Sequence, residues 1–272
     1  MFTASIVIYN NDKNTLHKAV NSLLRSPFLE KLFLIDNSRT DKFKDISTDN
    51  RVIYQYNNMN LGFGKAHNLA LKQAMALGAE YHFVVNPDIY FEGNVLEEMV
   101  NLMKADPKIG LMMPKILNLD GSIQFLPKFP PSPPYLLWRK IQFPRKPFEK
   151  FIALYELRNA PPDMTYIAPR VSGCFSLLNL AVIKEIGLYD ERFFMYFEDS
   201  DLSRRVYQRY KTIYFPGVSV YHGYENGASK NFKLFLLFIH SAIKYFNKWG
   251  WFFDKERKEI NERTVEQFEN LR

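Results

Sequence analysis

The chain has 272 residues, 47% of them hydrophobic and 24% charged, with a formal net charge of +7. This length and apolar share support one large α/β domain or two small ones and exclude a disordered chain. The single cysteine, Cys174, excludes an internal disulfide framework and a multi-cysteine zinc site. The basic balance points to an anionic partner, such as a nucleotide or a phospholipid surface.

Met1-Phe2-Thr3-Ala4 has no basic leader character, and no run of roughly 18 apolar residues follows, so neither a signal peptide nor a transmembrane helix is expected. Residues 5–9 form a β-branched run that ends in Asn10-Asn11-Asp12, which predicts a strand closing on a turn. Residues 15–24 place Leu16, Ala19, Val20, Leu23 and Leu24 at helical spacing. Residues 31–35 and 52–56 read as further strands, the first ending at Asp36-Asn37-Ser38. A helix is predicted over 64–77 with Gly78 as its stop signal, then a buried strand over 81–85 and a helix over 94–104 that Asp106-Pro107 ends. Strands alternating with helices predict βαβ units and a mostly parallel, Rossmann-like sheet flanked by helices. Ligands of such sheets bind beyond the carboxyl ends of the strands, where Asn10, Asp36, Asn60 and Asp88 fall.

Residues 126–162 carry Pro127, Pro130, Pro131, Pro133, Pro134, Pro144 and Pro147 among basic and aromatic residues. This predicts an irregular excursion, either a flap over an acceptor or a solvated loop. Regular structure is expected again from Val171: a strand over 171–178, helices over 180–186 and 199–210, and two short strands over 212–215 and 218–221 that end at His222-Gly223. The pattern from 229 onward is helical, forming a C-terminal extension.

Two acidic motifs stand out. Asn86-Pro87-Asp88 follows the apolar run 81–85, and Glu198-Asp199-Ser200-Asp201 follows the aromatic run 193–197. Carboxylates at the ends of buried segments are costly unless paired, metal-bound or facing a cleft. Read alone, the first is also a set of turn formers, and the second is also an acidic helix N-terminus favoured by the dipole.

Val7-Ile8-Tyr9-Asn10, Ile35-Asp36-Asn37-Ser38, Asn60-Leu61-Gly62-Phe63-Gly64, Asn86-Pro87-Asp88, the stretch from Gly173 to Asp190, Phe194-Met195-Tyr196-Phe197-Glu198-Asp199 and His222 occur in that order. This ordered set resembles family 2 glycosyltransferases, most nearly their bacterial rhamnosyltransferase-like branch. The resemblance implies a GT-A fold, an inverting mechanism, a nucleotide-sugar donor and a divalent metal. It implies a catalytic domain over 1–227, with a nucleotide-sugar half over 1–113 and an acceptor half over 114–227, followed by amphipathic helices over 228–272.

By the same resemblance, Asp88 is a metal ligand, Asn86 replaces the first aspartate of the metal motif, and His222 is a second ligand for Mg²⁺ or Mn²⁺. Asp199 takes the place of the general base, with Glu198 beside it to bind acceptor or order the loop. Tyr9, Asn10 and Asp36 match nucleoside-pocket positions, Asn60 and Gly62 belong to a loop that lets backbone approach the nucleotide, and Lys65 is placed to meet phosphate. Gly173, Cys174 and Asp201 border the acceptor subsite, with a helix cap as the alternative for Asp201.

The implied activity moves a sugar, foremost L-rhamnose from dTDP-β-L-rhamnose, onto an undecaprenyl-diphosphate-linked saccharide in surface polysaccharide assembly. A UDP-hexose donor and a non-catalytic carbohydrate-binding subunit are the alternatives. A nucleotidyltransferase is disfavoured because Asn10-Asn11-Asp12-Lys13 has no glycine after the first strand, and no nucleic-acid motif is present. Basic and aromatic residues around the C-terminal helices predict peripheral contact with the inner face of the cytoplasmic membrane. Packing or a homodimer interface is the alternative for those helices.

Overall fold

The computed structural model describes residues 1–223 and 232–269. In its first half β1 (Phe2–Ile8), β2 (Leu29–Asp36), β3 (Val52–Tyr56) and β4 (Tyr81–Val85) alternate with α1 (Lys13–Leu24), α2 (Phe63–Ala76) and, after the short β5 (Ile89–Tyr90), α3 (Val95–Ala105). The β-branched runs and 3.6-residue periodicities therefore fold as their spacing predicts. The strands β3-β2-β1-β4 are all parallel neighbours.

The second half adds β6 (Ile109–Leu117), α4 (Pro133–Ile141), α5 (Arg145–Tyr155), β7 (Tyr166–Ile167), β8 (Phe175–Asn179), α6 (Leu180–Ile186), α7 (Glu198–Tyr207), β9 (Lys211–His222), α8 (Phe232–Trp249) and α9 (Lys255–Glu269). The whole sheet runs β3-β2-β1-β4-β8-β6-β9-β5, with β7 on β9. β8 enters antiparallel to both β4 and β6, and β5 and β7 are antiparallel to β9, so the second half is mixed rather than parallel.

The short β5 and β7 are not marked by periodicity, the strand expected from Val171 begins only at Phe175, and three larger elements differ from the periodicity reading. β6 lies at the heart of the sheet, yet Gly110 and Pro114 interrupt its strand signal. A Cβ on Gly110 would lie 2.7 Å from Val206 and 2.8 Å from Val182, so α6 and α7 can seat on the strand only over a glycine. The strands expected over 212–215 and 218–221 are one strand, β9, whose register slips at Pro216-Gly217. Proline cannot donate to the ladder, and a bulge absorbs the defect.

The proline-rich excursion is a helical hairpin rather than a loop. Pro133 and Pro134 occupy the first turn of α4 behind the Ser132 cap, and Pro144 and Pro147 bracket the start of α5. The first-turn N–H groups of a helix have no intrahelical partner, so proline costs little there.

The C-terminal helices pack on α7. Arg204 is buried, ion-paired to Asp254 and Glu256, and lies 4.4 Å over the Trp249 ring. Ala242, Tyr245 and Phe246 of α8 join Phe193 and Phe197 in a second core. The expected boundary near 227 lies outside the described residues.

Candidate active site

Chain segments more than a hundred residues apart meet at the carboxyl end of β4. The Asn86-Pro87-Asp88 turn, closed by Ile89 N–H donating to the Asn86 carbonyl at 3.2 Å, leads into β5. β5 pairs with the end of β9, placing Ile89 opposite His222. That register sets His222 Nε2 3.4 Å from Asp88 Oδ1.

The histidine is oriented from behind. Gln124 donates through Nε2 to the His222 carbonyl at 3.1 Å and to Asn118 Oδ1 at 2.7 Å. Its Oε1 is then left to accept from His222 Nδ1 at 2.9 Å. This network assigns the Nδ1–H tautomer and turns the Nε2 lone pair toward Asp88. Asp88 Oδ1 is buried without a hydrogen-bond donor among the described residues. A carboxylate oxygen and an imidazole lone pair face to face suit a shared cation, and an amide that accepts from the far ring nitrogen is the usual support for such a ligand. No group of three or more ligating side chains occurs among the described residues. Mg²⁺ and Mn²⁺, which commonly combine a few protein ligands with substrate oxygens and water, suit such a pair.

The second acidic motif is joined to the first through residues 170–174. Asn86 N–H donates to the Cys174 carbonyl at 2.8 Å. On the other flank Asp199 Oδ2 accepts from Arg170 Nη2 at 3.2 Å and from Gly173 N–H at 3.5 Å. Asp199 Oδ1 accepts from Ser200 N–H at 2.6 Å, and Ser203 Oγ accepts from Val171 N–H at 3.0 Å. Cys174 registers both carboxylates. Burial pushes its thiol up to about 12, and the charges of Asp88 and Asp199 add to the shift. The thiol is thus protonated and unsuited to nucleophilic attack.

Glu198 sits deeper, with Oε2 buried and lacking a hydrogen-bond partner among the described residues. Burial, then the neighbouring Asp199 charge, raises its carboxyl to about 8, with Arg170 opposing. Tyr189 is the other titratable group that feels it. The loop ahead of it is strained: Tyr196 and Phe197 have φ of 71° and 68°, left-handed values that bulky residues rarely adopt. The Phe197 ring is locked against Phe238 and Tyr245, and Phe63 N–H donates to the Phe194 carbonyl at 2.9 Å.

Because unfolding would ionise Glu198 above its ordinary 4.5, the folded protein binds the extra proton between about 4.5 and 8, and stability falls as pH rises through that window. Glu198→Gln keeps the neutral shape and removes the slope. Its melting temperature relative to the parent is expected to climb from about pH 5 to about pH 8.5. A difference independent of pH would contradict a buried neutral carboxyl.

The remaining expected residues divide. Tyr9 and Asn10 are exposed beyond β1, with Asn10 N–H donating to Ser38 Oγ at 3.0 Å. Asn60 Oδ1 accepts from Gly62 N–H at 2.9 Å and faces Asn37 Nδ2 at 3.3 Å. Asp36 is not open to a ligand. It is fully buried, and its oxygens accept from Ser38 N–H and the Tyr54 hydroxyl, both within 2.8 Å.

Gly62 has a structural requirement of its own. A Cβ there would lie 2.2 Å from the Phe194 carbonyl oxygen, and its φ is +82°, so glycine is needed for the 60–64 loop to support the 193–198 loop. Lys65 is exposed, 3.9 Å from Glu191. Asp201 belongs to the interior rather than to an acceptor subsite. It is fully buried, bound to Lys248 at 2.6 Å, Arg205 at 2.9 Å and Trp249 Nε1 at 2.9 Å, and does not cap α7. Gln124 and Arg170 emerge only from the fold. The turn signal of Asn118-Leu119-Asp120-Gly121-Ser122 marks the hairpin that carries Gln124, whereas no local pattern marks Arg170.

A family model described as Glycosyl transferase family 2 matches residues 3–157, more than half of the chain. The N-acetylglucosaminyl-diphospho-decaprenol L-rhamnosyltransferase of Mycobacterium tuberculosis (strain ATCC 25618 / H37Rv) is 25% identical over 207 residues, covering 70% of this chain and 66% of the relative. The chain thus spans slightly less than two thirds of that relative's length.

Among solved structures, GalNAc-T7 with UDP, GalNAc and Mn²⁺ superposes with a TM-score of 0.61 at 17% identity, over 85% of this chain and 44% of the other. The mannosyltransferase PcManGT of Pyrobaculum calidifontis, in complex with GDP-Man and Mn²⁺, gives 0.56 at 14% identity, over 83% and 57%. At these identities the likeness speaks to the fold alone, and the fold shared is the GT-A architecture of a central sheet flanked by helices.

Proposed function

The chain belongs to glycosyl transferase family 2, and on that premise we propose that it transfers a sugar from a nucleoside diphosphate to an acceptor hydroxyl with inversion. The observation that carries the reading is the placement of two carboxylates on opposite flanks of residues 170–174, one facing an imidazole and the other facing a guanidinium. Inverting transfer needs such a division: charge neutralisation at the leaving diphosphate and a base at the attacking hydroxyl.

In this reading Asp88 and His222 would hold Mg²⁺ or Mn²⁺, which when bound neutralises charge on the donor diphosphate. Tyr9 and Asn10, exposed beside Ser38, line the nucleoside side. Asp199 accepts the proton of the acceptor hydroxyl as oxygen attacks C1 of the sugar and the bond from C1 to the diphosphate oxygen breaks. A carboxylate offers about four acceptor sites, so the bonds from Arg170, Gly173 and Ser200 leave capacity for the hydroxyl. Arg170 and Gly173 aim Asp199, and neutral Glu198 spares the site a second negative charge.

L-rhamnose from dTDP-β-L-rhamnose is the preferred donor on the strength of the mycobacterial relative, with a UDP-hexose as the alternative. That relative's name also supports an acceptor carried on a lipid diphosphate, and with such an acceptor the protein would work at the inner face of the cytoplasmic membrane. A screen of dTDP- and UDP-sugars with Mg²⁺ or Mn²⁺ tests the reading, and consumption of none of them would overturn it. Asp88→Asn is expected to weaken metal-dependent nucleotide binding by about tenfold or more. A calorimetric titration with an unchanged metal dependence would sink the ligand assignment.

A further inference from the structure

The α4–α5 hairpin leaves large apolar side chains in solvent. Leu137 is 63% exposed, Ile141 58% and Phe143 73%. α8 does the same at Phe232, 73% exposed, and at Leu236, Ile239 and Ile243, which recur at helical spacing. These two sets border one contact. Lys140 of α4 lies 4.9 Å over the ring of Phe235 on α8. Leu137 and Ile141 stand within one turn of Lys140, and Phe232, Leu236 and Ile239 within about one turn of Phe235. Contiguous exposed apolar surface of this kind marks an interaction site.

The charge around it is one-sided. Residues 132–155 carry Arg139, Lys140, Arg145, Lys146 and Lys150, all exposed, against Glu149 alone, which pairs with Arg145. α9, by contrast, has five glutamates against four basic residues and no such stripe. No described helix is long and apolar enough to cross a bilayer. An exposed apolar stripe framed by cations fits the plane of a lipid interface. A second copy of the chain fits poorly, because a two-fold interface would oppose these cations with themselves.

We propose that the α4–α5 hairpin and the outer face of α8 form one docking surface for an anionic phospholipid bilayer. Apolar side chains enter the interface, and Arg139, Lys146 and Lys150 meet lipid phosphate. This moves the contact from residues 228–272 alone to a surface built half from the proline-rich segment. It rests on the membrane placement proposed above for its purpose, but binding is read without donor or acceptor, so its failure and that of the transferase reading are separable.

The test is co-sedimentation of the full chain with phosphatidylcholine vesicles, with and without phosphatidylglycerol. Binding is expected to need phosphatidylglycerol and to fall with salt. The exposed double variants L137S/I141S and F232S/L236S should each lose about tenfold or more of vesicle partitioning. K146Q and K150Q should cost about fivefold each. Near-ultraviolet circular dichroism and nucleotide binding are expected to match the parent, since none of these residues belongs to the site. Equal partitioning onto both vesicle types, or parental binding by both double variants, would overturn the proposal. So would a vesicle-free dimer that the same substitutions dissociate, because the face would then be an interface between copies.

Discussion

Asp199→Asn is expected to lower sugar transfer by about 10²–10⁴-fold while nucleotide binding stays close to the parent level. The substitution keeps shape and size and removes the group proposed to take the acceptor proton. An asparagine can present its oxygen to Arg170 and Gly173, where Asp199 Oδ2 now accepts at 3.2 and 3.5 Å. Its amide nitrogen then faces Ser200, whose hydroxyl is able to accept but whose backbone N–H, now 2.6 Å from Oδ1, loses its acceptor. The fold should survive, at the cost of the Arg170 charge pair and that one backbone hydrogen bond. Tyr9, Asn10 and Asp88, the residues proposed for the donor, make no contact with Asp199 through the bonds it loses, so donor binding is the internal control. The comparison needs transfer to a saccharide acceptor and calorimetric nucleotide binding on the same preparation. Parental turnover would refute Asp199 as the base, and joint loss of transfer and nucleotide binding would assign it to the donor side instead.

The largest expected effect on stability is at Arg204→Met, about 3–5 kcal/mol. Arg204 is 2% exposed, and Asp254, its bidentate partner at 2.7 Å, is 3% exposed. Methionine restores the apolar stem but leaves a buried carboxylate, with Arg257 at 3.7 Å as its remaining ion-pair partner among the described residues. The stranded charge, more than the lost attraction, carries the cost. For a chain of this size, 3–5 kcal/mol corresponds to a fall of roughly 10 °C in melting temperature. Pairing Arg204→Met with Asp254→Ala should recover part of the loss, because the unpaired charge goes with it. A fall of under about 1 kcal/mol in the single variant would show that the pair adds little. Deleting residues 229 onward would uncover Arg204, Asp201 and the Phe197 core together, so exposed point variants are the cleaner probe of that region.

These two residues illustrate how carboxylates and cations that look alike in the chain acquire opposite jobs. Asp36, Asp199 and Asp201 all close buried segments. Burial and partners then separate them: Asp36 orders a turn, Asp201 anchors α8, and Asp199 stays partly exposed beside Arg170 and Gly173. No spacing rule distinguishes these outcomes, because each depends on what another part of the chain places within hydrogen-bonding reach.

The N-terminal strands and helices were legible because period-2 and period-3.6 patterns are local consequences of which face is buried. β6 and the α4–α5 hairpin were not, since glycine and proline carry opposite meanings in a strand interior, at a bulge and in a first helical turn. The ordered motifs likewise carried the family membership, and they named Asp88, Asp199 and His222 as the candidates for its chemistry. By itself, then, the sequence determined the alternating α/β first half, the basic character and the residue types available for chemistry, all properties of composition and near neighbours. The tertiary structure alone decided the pairing of Asp88 with His222 through the β5–β9 register, the tautomer set by Gln124, the guanidinium beside Asp199 and the second core that binds α8. Each of these joins residues tens to more than a hundred positions apart, and such contacts exist only once sheet order and register have brought the segments together.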